Sequence, residues 1–285
     1  MSDSQATDPQ VWFVTGASSG FGRAIAEAAA AAGDTVVAAV RKPAALDDLV
    51  AKYPGLVDPV ALDVTDMAAG AAAIDAAVER HGRIDVLVNN AGRTQVGAVE
   101  ETTDQELLAL FDLHVFGPFA LARAVVPHMR ERGSGAIVNL SSVGGQVVMP
   151  GFGVYCGTKF ALEGVSEALA AEVAPFGVKV MLVEPGAFRT GLFVPGAAVM
   201  SAENPVYADT AGTTRRYVEG GDGSQPGDPA KLAAAIRTAL EAENTPLRLP
   251  MGGDAVDMIL AHLDGVRDEV TAWEKVSRGT DFDDA

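Results

Sequence analysis

Short runs rich in β-branched residues alternate with alanine-rich amphipathic stretches along almost the whole chain. We predict strands at 11–15, 35–40, 57–62, 84–89, 136–140, 178–183 and 246–249, and helices at 20–32, 44–52, 67–81, 104–131, 155–174, 229–243 and 254–277. Strands separated by helices of this length pair in parallel through right-handed crossovers. The pattern therefore predicts one doubly wound α/β domain, with helices on both faces of a parallel sheet of about seven strands.

Residues 10–277 are expected to form this single domain, between a polar N-terminal tail (1–9) and an acidic C-terminal tail (278–285). The segment 190–228 breaks the alternation, because glycine and proline punctuate it and its apolar residues are scattered. Long segments of this kind are usually functional lids or disordered. Its place after the sixth strand favours a flap over the substrate, with disorder as the alternative.

The chain carries a net charge of −17, from 21 basic and 38 acidic residues. This balance argues against nucleic acids and anionic membranes as partners, because both are bound by basic patches. The longest apolar stretches, such as 24–32 with Glu27 inside it, fall short of the ~18 residues of a membrane span. The single cysteine, Cys156, excludes an internal disulfide, and the first residues lack a secretory signal pattern. We therefore expect a cytoplasmic protein.

The first predicted strand runs directly into Thr15-Gly16-Ala17-Ser18-Ser19-Gly20-Phe21-Gly22 and then into a helix. Gly16 would permit a tight turn, Gly20 a close approach to a pyrophosphate, and Gly22 close packing of the helix on the sheet. Free N–H groups at the start of the helix would bind the anion. The spacing differs from G-x-G-x-x-G, but its position in a βαβ unit indicates a Rossmann-type dinucleotide site.

Tyr155 and Lys159 are four residues apart at the start of a predicted helix, so they share one face. An ammonium beside a phenol is expected to lower the tyrosine pKa from about 10 towards working pH. Such a tyrosine is a general acid or base for a carbonyl/alcohol pair. Ser142, at the end of the fifth strand, can donate a hydrogen bond to the carbonyl oxygen. Because ligand crevices lie at strand C-termini, these three residues are the candidate catalytic group.

These elements resemble the short-chain dehydrogenase/reductase family. Residues 15–22 are similar to its TGxxxGxG cofactor turn, and residues 89–92 to its NNAG element. Ser142 and Tyr155-x-x-x-Lys159 resemble its serine and YxxxK motifs, with Ser142 rather than Ser141 as the active serine. Pro185-Gly186 followed by Thr190 resembles its PG…T element, and the order across 11–249 is the family's. The resemblance implies an NAD(P)(H)-dependent oxidoreductase acting on an alcohol or carbonyl group.

The resemblance also assigns the contacts to the cofactor. Asp63 would bind the adenine amine, unless it caps the following helix. Lys159 would bind the nicotinamide ribose, while Thr190 and the backbone of Phe188 would hold the carboxamide. The cofactor residues so implied are Gly16, Ser18, Ser19, Gly20, Phe21, Gly22, Arg41, Asp63, Val64, Asn90, Ala91, Gly92, Tyr155, Lys159, Pro185, Gly186, Phe188 and Thr190.

The end of the second strand bears on the choice between NAD(H) and NADP(H). An acidic residue there would bind the ribose 2′-hydroxyl and repel a 2′-phosphate, but this chain has Val40. Arg41 and Lys42 follow and can pair with a phosphate, and Ser19 could add a hydroxyl contact. We predict that the protein prefers NADP(H) over NAD(H). The alternative is that Arg41 and Lys42 are only solvated residues of a loop and bind no phosphate.

The substrate is expected to be a small hydrophobic ketone, aldehyde or secondary alcohol. Residues 184–190 resemble the steroid- and retinol-type branch of the family. Candidate substrate contacts are Ser142, Arg93, Thr94, Gln95, Val143, Met149, Phe152, Phe193, Val199, Met200 and Tyr207. No metal site is expected. Family members usually form homodimers or homotetramers through helices equivalent to 104–131 and 155–174. On the second of these helices, small residues would allow close approach, namely Ala161, Gly164, Ala168 and Ala171.

The chain departs from the family pattern at His114, where most relatives carry asparagine. In the family this asparagine keeps a kinked helix open, so that a backbone carbonyl holds a water linking the catalytic lysine to solvent. His114 joins the catalytic candidates in one of three ways. It substitutes as a hydrogen-bonding side chain, it titrates near working pH, or it is a buried histidine satisfied by a neighbouring backbone group.

Three other functions were weighed against this one. A nucleotide-sensing regulator would not need Ser142, Tyr155 and Lys159. A Rossmann-like methyltransferase would lack this set and would usually carry an acidic residue where Val40 stands. A nucleotide-sugar epimerase shares the YxxxK chemistry but normally has a larger C-terminal substrate domain.

Overall fold

The computed structural model describes residues 8–194, 196–221 and 223–282. Seven parallel strands form one sheet in the order β3-β2-β1-β4-β6-β7-β9, and β5 pairs with β8 in a separate two-stranded ladder. The strands are β1 (Val11–Thr15), β2 (Thr35–Val40), β3 (Val57–Ala61), β4 (Val86–Asn89), β5 (Gln95–Val96), β6 (Gly135–Leu140), β7 (Val178–Pro185), β8 (Val199–Met200) and β9 (Arg248–Met251). The predicted fold class is confirmed.

Helices cover both faces of the sheet, because its central strands are apolar on both sides. They are α1 (Gly20–Ala31), α2 (Asp47–Lys52), α3 (Met67–His81), α4 (Asp104–Phe111), α5 (Gly117–Arg132), α6 (Gly153–Val173), α7 (Ala211–Gly220), α8 (Pro229–Glu241) and α9 (Gly253–Arg278). One core cluster joins α1, α2 and α8 to the sheet, and the other joins α3, α5 and α6 to its opposite face. The strand order reverses between β1 and β4, which is where ligands bind in such sheets.

The predicted helix 104–131 is interrupted. Asp112–Phe116 forms a π-helical segment between α4 and α5, in which the Gly117 N–H donates to the Asp112 carbonyl five residues back. Pro118 follows and has no N–H to offer the carbonyl of His114, four residues earlier, so the α-helical ladder is interrupted there as well. The interruption therefore lies at the position where the sequence departs from the family.

The segment 190–228 contains more structure than predicted. It includes β8, a 3₁₀ turn at Pro205–Tyr207 and the ten-residue helix α7. The pattern concealed this helix because a charged residue, Arg215, occupies a buried position between Ala211 and Val218. Residues 1–7 of the predicted N-terminal tail and 283–285 of the acidic tail lie outside the described residues.

The other predicted elements shift by a few residues at their ends. The predicted helix 44–52 begins as a 3₁₀ turn at Pro43–Leu46 before α2. Strand β3 lies at the sheet edge, which is where Pro59 within it is tolerated. By length and composition, the stretch Asp104–Arg132 could cross a membrane, but half of it is buried inside the fold, as in a core helix.

Candidate active site

The glycine-rich turn between β1 and α1 depends on its glycines. Gly16 and Gly20 have φ of 66° and 55°, in the left-handed region that favours glycine. A Cβ on Gly22 would collide with the Asn90 amide, directly after β4, and with the Gly16 carbonyl, directly after β1. Gly22 therefore allows α1 to approach the ends of these strands closely. The Asn90 amide donates to the Thr15 carbonyl at 2.8 Å, so the NNAG element holds the turn in place.

The two carboxylates after β3 have separate roles. Asp63 accepts hydrogen bonds from the N–H (3.0 Å) and hydroxyl (2.8 Å) of Thr65, and the backbone bond is the main cause of its lowered pKa. The helix cap is Asp66, which accepts from the Ala69 N–H at 2.9 Å, so capping is not the role of Asp63. Val64 lies beside it, with its carbonyl against Gly117 at the start of α5.

The segment after β7 closes over the glycine turn. The rings of Phe188 and Phe21 meet edge to face, with centroids 5.2 Å apart. The Thr190 carbonyl lies close enough to Gly20 that a Cβ there would approach it to 3.0 Å. On the other side, Asp254 of α9 accepts from the Ala187 N–H at 2.7 Å. Asp254 was not among the predicted site residues, because nothing in the sequence pattern links α9 to this segment.

Ser142, Tyr155 and Lys159 meet at the C-terminal end of β6. Ser142 accepts from the Gly144 N–H at 3.0 Å, and a Cβ added to Gly144 would meet both the Tyr155 ring (3.2 Å) and the Ser142 hydroxyl (3.3 Å). The Lys159 ammonium lies 5.8 Å from the Tyr155 ring centroid and donates to the Leu140 carbonyl at 2.9 Å. The three side chains predicted to form the catalytic group are therefore together.

The expected lowering of the tyrosine pKa is wrong for the chain without ligands. Burial raises the pKa of Tyr155 to about 12, and burial lowers the pKa of Lys159 to about 8. The reason is that desolvation disfavours both charged forms, while the ammonium points at a backbone carbonyl instead of the phenol. At neutral pH Tyr155 is accordingly a neutral proton donor.

His114 is buried, and both ring nitrogens have partners. Its Nε2 accepts from the Arg93 N–H at 3.2 Å, and its Nδ1 lies 2.8 Å from the Thr158 hydroxyl. Burial, together with the positive charges of Lys159 and Arg93, holds the pKa of His114 well below its usual value. Titration near working pH, the second of the three possibilities, is contradicted. The contacts combine the other two possibilities, a hydrogen-bonding side chain and a buried histidine satisfied by the backbone. One partner is the Thr158 side chain and the other is the Arg93 N–H.

Two polar groups behind the site were absent from the predictions. A buried hydrogen-bonded chain runs from Asn89 of β4 through Asn139 of β6 to Ser166 of α6, with both amide contacts at 2.8 Å. It fixes α6, which carries Tyr155 and Lys159, against the sheet. Only the folded chain brings these residues together, as they are 27 to 50 positions apart.

The second group is a buried pair of acids, Glu163 and Glu184. Glu163 accepts from the Ser141 hydroxyl at 2.6 Å and from the Gln146 amide. Arg248 lies 3.3 Å from Glu163 and 3.6 Å from Glu184. Burial, and next the Glu163 charge, raise the pKa of Glu184 to about 8. The pair lies one helical turn beyond Lys159.

An apolar cluster adjoins Tyr155. It combines β5, the start of α6 and the flap, and consists of Val96, Phe152, Cys156 and Val218, packed by Met149, Tyr155, Phe193, Ala198 and Met200. Of the predicted substrate contacts, Thr94 and Gln95 are buried nearby, and Val199 pairs with Gln95 in the ladder. Arg93 and Val143 are partly buried beside His114 and Ser142. Tyr207 bonds through its hydroxyl to Glu100, and its side chain lines a cavity of about 410 Å³ that Met149 also lines.

A buried ion pair fixes the flap. Arg215 of α7 lies 2.6 Å from Glu101 and donates to the Ser201 carbonyl at 2.8 Å. Glu101 also accepts from the Asn204 N–H at 2.7 Å. The segment 201–218 is thus bound to the turn after β5 by charged hydrogen bonds shielded from water.

Known proteins of similar sequence share this arrangement of elements. A family model described as short chain dehydrogenase matches residues 10–197. Oxidoreductase BOA17 of Botryotinia fuckeliana is 40% identical over 249 residues, which cover 87% of this chain and 90% of that protein. The 3-ketodihydrosphingosine reductase of Bacteroides thetaiotaomicron is 37% identical over 246 residues, covering 86% and 88%.

Solved structures agree with the sequence relatives. A short-chain dehydrogenase from Streptomyces avermitilis superimposes with a TM-score of 0.92 at 64% identity, covering 96% of this chain and 100% of that chain. A short chain dehydrogenase/reductase from Burkholderia phymatum in complex with NAD is similar, with a TM-score of 0.79 at 25% identity, covering 92% of this chain and 95% of that chain. A short chain dehydrogenase from Burkholderia cenocepacia in complex with NADP is also similar, with a TM-score of 0.70 at 28% identity, covering 93% of this chain and 96% of that chain. Sequence, fold and site geometry agree, and the chain belongs to the short-chain dehydrogenase/reductase family of oxidoreductases.

Proposed function

We propose that this protein transfers a hydride between NADP(H) and a hydrophobic ketone, aldehyde or secondary alcohol, with Tyr155 as the general acid or base. The observation that carries the proposal is the position of Tyr155 and Ser142, which both lie against Gly144 beside an apolar cluster. Two hydroxyl donors for one carbonyl oxygen, next to apolar side chains for its substituents, are what carbonyl reduction requires.

The protonation states favour a proton donor at neutral pH. Bound NADPH would supply the hydride that attacks the carbonyl carbon. Tyr155, neutral because its pKa is raised to about 12, would give its proton to the carbonyl oxygen. Ser142 would donate a hydrogen bond to the same oxygen, because its acceptor side is already used by the Gly144 N–H. The Lys159 ammonium, fixed by the Leu140 carbonyl, would stabilise the phenolate that remains.

The residues around the glycine turn suit a dinucleotide. The left-handed glycines at 16 and 20 leave no side chain over the start of α1, where N–H groups face an anion. Asp63 is an exposed acceptor for an amine. For the 2′-phosphate we propose Arg41 and Lys42, which are exposed after β2 and form no ion pair among the described residues. The expected NADP(H) preference rests on them.

The substrate class rests on the apolar cluster beside Tyr155 and on one relative. The cluster consists of aromatic, aliphatic and thioether side chains, which favour an apolar substrate. The name of the Bacteroides relative, 3-ketodihydrosphingosine reductase, describes action on a long-chain ketone. We propose a ketone with at least one bulky apolar substituent, and the steroid- or retinol-like branch remains a hypothesis.

We also propose a cytoplasmic homo-oligomer. The outer faces of α5 and α6 form an apolar groove of about 630 Å³, which includes Phe119, Val126, Val165 and Phe176. On α6, Gly164 has nothing within 4 Å of an added Cβ, so a second helix has room to approach. The single buried thiol of Cys156 suits a reducing compartment.

The test is a panel of aliphatic, aromatic and steroidal carbonyls, followed by NADPH absorbance. Wild type is expected to oxidise NADPH with the apolar ketones. Tyr155→Phe should lower turnover at least ~10²-fold while cofactor binding, measured by fluorescence, survives. Near-normal turnover in the phenylalanine variant would refute the mechanism. If neither wild type nor Tyr155→Phe oxidises NADPH with any carbonyl of the panel, the result would favour the nucleotide-sensing regulator.

A further inference from the structure

The C-terminal helix α9 leaves most of its length without a partner. Its first turns are held by the body, since Ala255 and Ile259 are buried and Asp254 binds the Ala187 N–H. From Leu260 to its end at Arg278, every residue is exposed. The helix has 26 residues, so this free part extends for nearly 30 Å at ~1.5 Å per residue.

Six apolar residues of α9 follow a heptad pattern. They are spaced three and four apart in strict alternation and form one stripe, beside which Leu260 and Val276 also lie exposed. The stripe consists of Val256, Ile259, Leu263, Val266, Val270 and Trp273. Leu263, Val266, Val270 and Trp273 are 46%, 42%, 66% and 65% exposed. Six positions of a and d type with this spacing form the seam of a coiled coil, rather than a face packed on a sheet.

Helix propensity alone does not explain why the exposed part of α9, residues 260–278, is helical. It contains Gly265, which costs about 1 kcal/mol relative to alanine, and the β-branched residues Val266, Val270 and Thr271. Isolated helices are marginal in water, and most helical stability in proteins comes from burial of the apolar face. A stripe that ends in a two-thirds exposed tryptophan therefore calls for a partner.

We propose that α9 pairs with α9 of a second copy of this chain as an antiparallel two-stranded coiled coil. The stripe is complementary to itself when the helices run in opposite directions. Val256 then lies opposite the partner subunit's Trp273, and Leu263 opposite the partner's Val266. Val270 falls at the level of the partner's Ile259, which that subunit's own body already buries. The five exposed positions of the stripe are thus matched in a single register about one two-fold axis.

The flanking charges select the antiparallel arrangement. In a parallel pair, each g position meets the e position five residues later on its partner. That would place Glu269 beside the partner's Glu274, and by symmetry this like-charge pairing occurs twice. In the antiparallel register, Glu269 instead lies near the partner's His262. Like charges in close contact cost stability, so the direction follows from the sequence of the helix.

The charge of α9 also argues against a lipid surface as the occupant. The helix carries six acidic residues against three basic ones, His262 aside. Amphipathic helices that bind membranes are rich in lysine and arginine on their polar face. A second copy of the chain, which brings the same apolar stripe, is the occupant that the composition fits.

The test compares Val270→Glu, on the stripe, with Thr271→Glu, which adds the same charge on the outer face. Mass is measured by light scattering at 5 to 50 µM, roughly the range in which coiled-coil pairing of moderate affinity is populated. We expect Val270→Glu to halve the mass of the wild-type particle and Thr271→Glu to leave it unchanged. Equal masses for all three proteins would overturn the proposal. This result is independent of activity and of the α5–α6 groove.

A cysteine experiment tests the direction, because Cys156 is buried and only introduced thiols would react. Val256→Cys and Trp273→Cys are prepared separately, then mixed and oxidised. The antiparallel pair should give the mixed disulfide and little of either symmetric one. Symmetric disulfides in the unmixed proteins would overturn the antiparallel direction. Wild type that sediments with phosphatidylcholine–phosphatidylglycerol vesicles, with Val270→Glu remaining in solution at unchanged mass, would assign the stripe to a membrane instead.

Discussion

Nδ1 of His114 lies 2.8 Å from Oγ1 of Thr158, and that hydroxyl donates to the Tyr155 carbonyl at 2.7 Å. Because Nε2 accepts from the Arg93 N–H, the ring proton is on Nδ1 and points at Thr158. The neutral tautomer therefore links the π-helical segment to the first turn of α6. An asparagine has one acceptor and one donor in a similar arrangement, which explains how histidine substitutes for it.

We expect His114→Asn to keep turnover within about threefold of wild type and to leave the pH–rate profile unchanged. The reason is that His114 is neutral across the working range and acts only through its two hydrogen bonds. His114→Leu should instead lower the unfolding free energy by roughly 1–3 kcal/mol, since the Arg93 N–H and the Thr158 hydroxyl lose their partner. A tenfold or greater gain in the asparagine variant would show that histidine weakens the proton relay.

Arg41→Asp is expected to reverse the cofactor preference from NADP(H) to NAD(H). The substitution removes a guanidinium that can pair with the 2′-phosphate and adds a carboxylate that repels it. The measurement is kcat/KM for NADPH and NADH, with a change in their ratio of at least ~10²-fold. Lys275→Asp, at the far end of α9, changes the net charge equally and should leave the ratio unchanged. Equal or better efficiency of wild type with NADH would contradict the assignment.

The Glu163–Glu184 pair makes stability depend on pH. The pKa of Glu184 is raised from 4.5 in the unfolded reference to about 8 in the fold, so the folded state binds the extra proton. The contribution of the Glu184 carboxyl to the free energy of unfolding is therefore present at low pH. It is lost as the pH rises from about 4.5 through about 8. Glu184→Gln removes this titration. In urea unfolding, the variant should gain stability relative to wild type between pH 6 and pH 9.

Glu167→Gln is the matched control for that experiment. Glu167 also binds Arg248, at 2.7 Å, but its side chain is 59% exposed and therefore well solvated. We expect this variant to follow the wild-type dependence on pH. Parallel curves for wild type and Glu184→Gln would show that the buried pair does not hold a proton between its carboxylates.

Glu101→Gln is expected to loosen the flap. The change keeps the shape of the side chain but leaves the Arg215 charge without its counterion in a buried position, which costs about 3–5 kcal/mol. KM for the carbonyl should rise more than kcat falls, and limited proteolysis should cut within 201–220. Glu100→Gln, at the exposed neighbour that binds Tyr207, is the control. Resistance to proteolysis equal to wild type would show that the ion pair does not hold the flap.

Much of the fold was predictable because its signals are local. The strands at the centre of the sheet are continuous apolar runs, and the helices between them predict parallel pairing through right-handed crossovers. The turn at Gly16–Gly22 is encoded by neighbouring residues, and Tyr155 and Lys159 share a face because helical geometry places positions four apart together. Pro118 likewise disrupts the helix ladder at a fixed distance from His114.

The tertiary structure decided the properties that depend on burial and on distant partners. The pKa of Tyr155 rises instead of falling, because desolvation outweighs a Lys159 ammonium directed at Leu140. Arg215 occupies a core position only because Glu101, 114 residues away in sequence, neutralises it. The local sequence determined which groups the chain can offer, while the fold determined which of them lose water and therefore which carry charge.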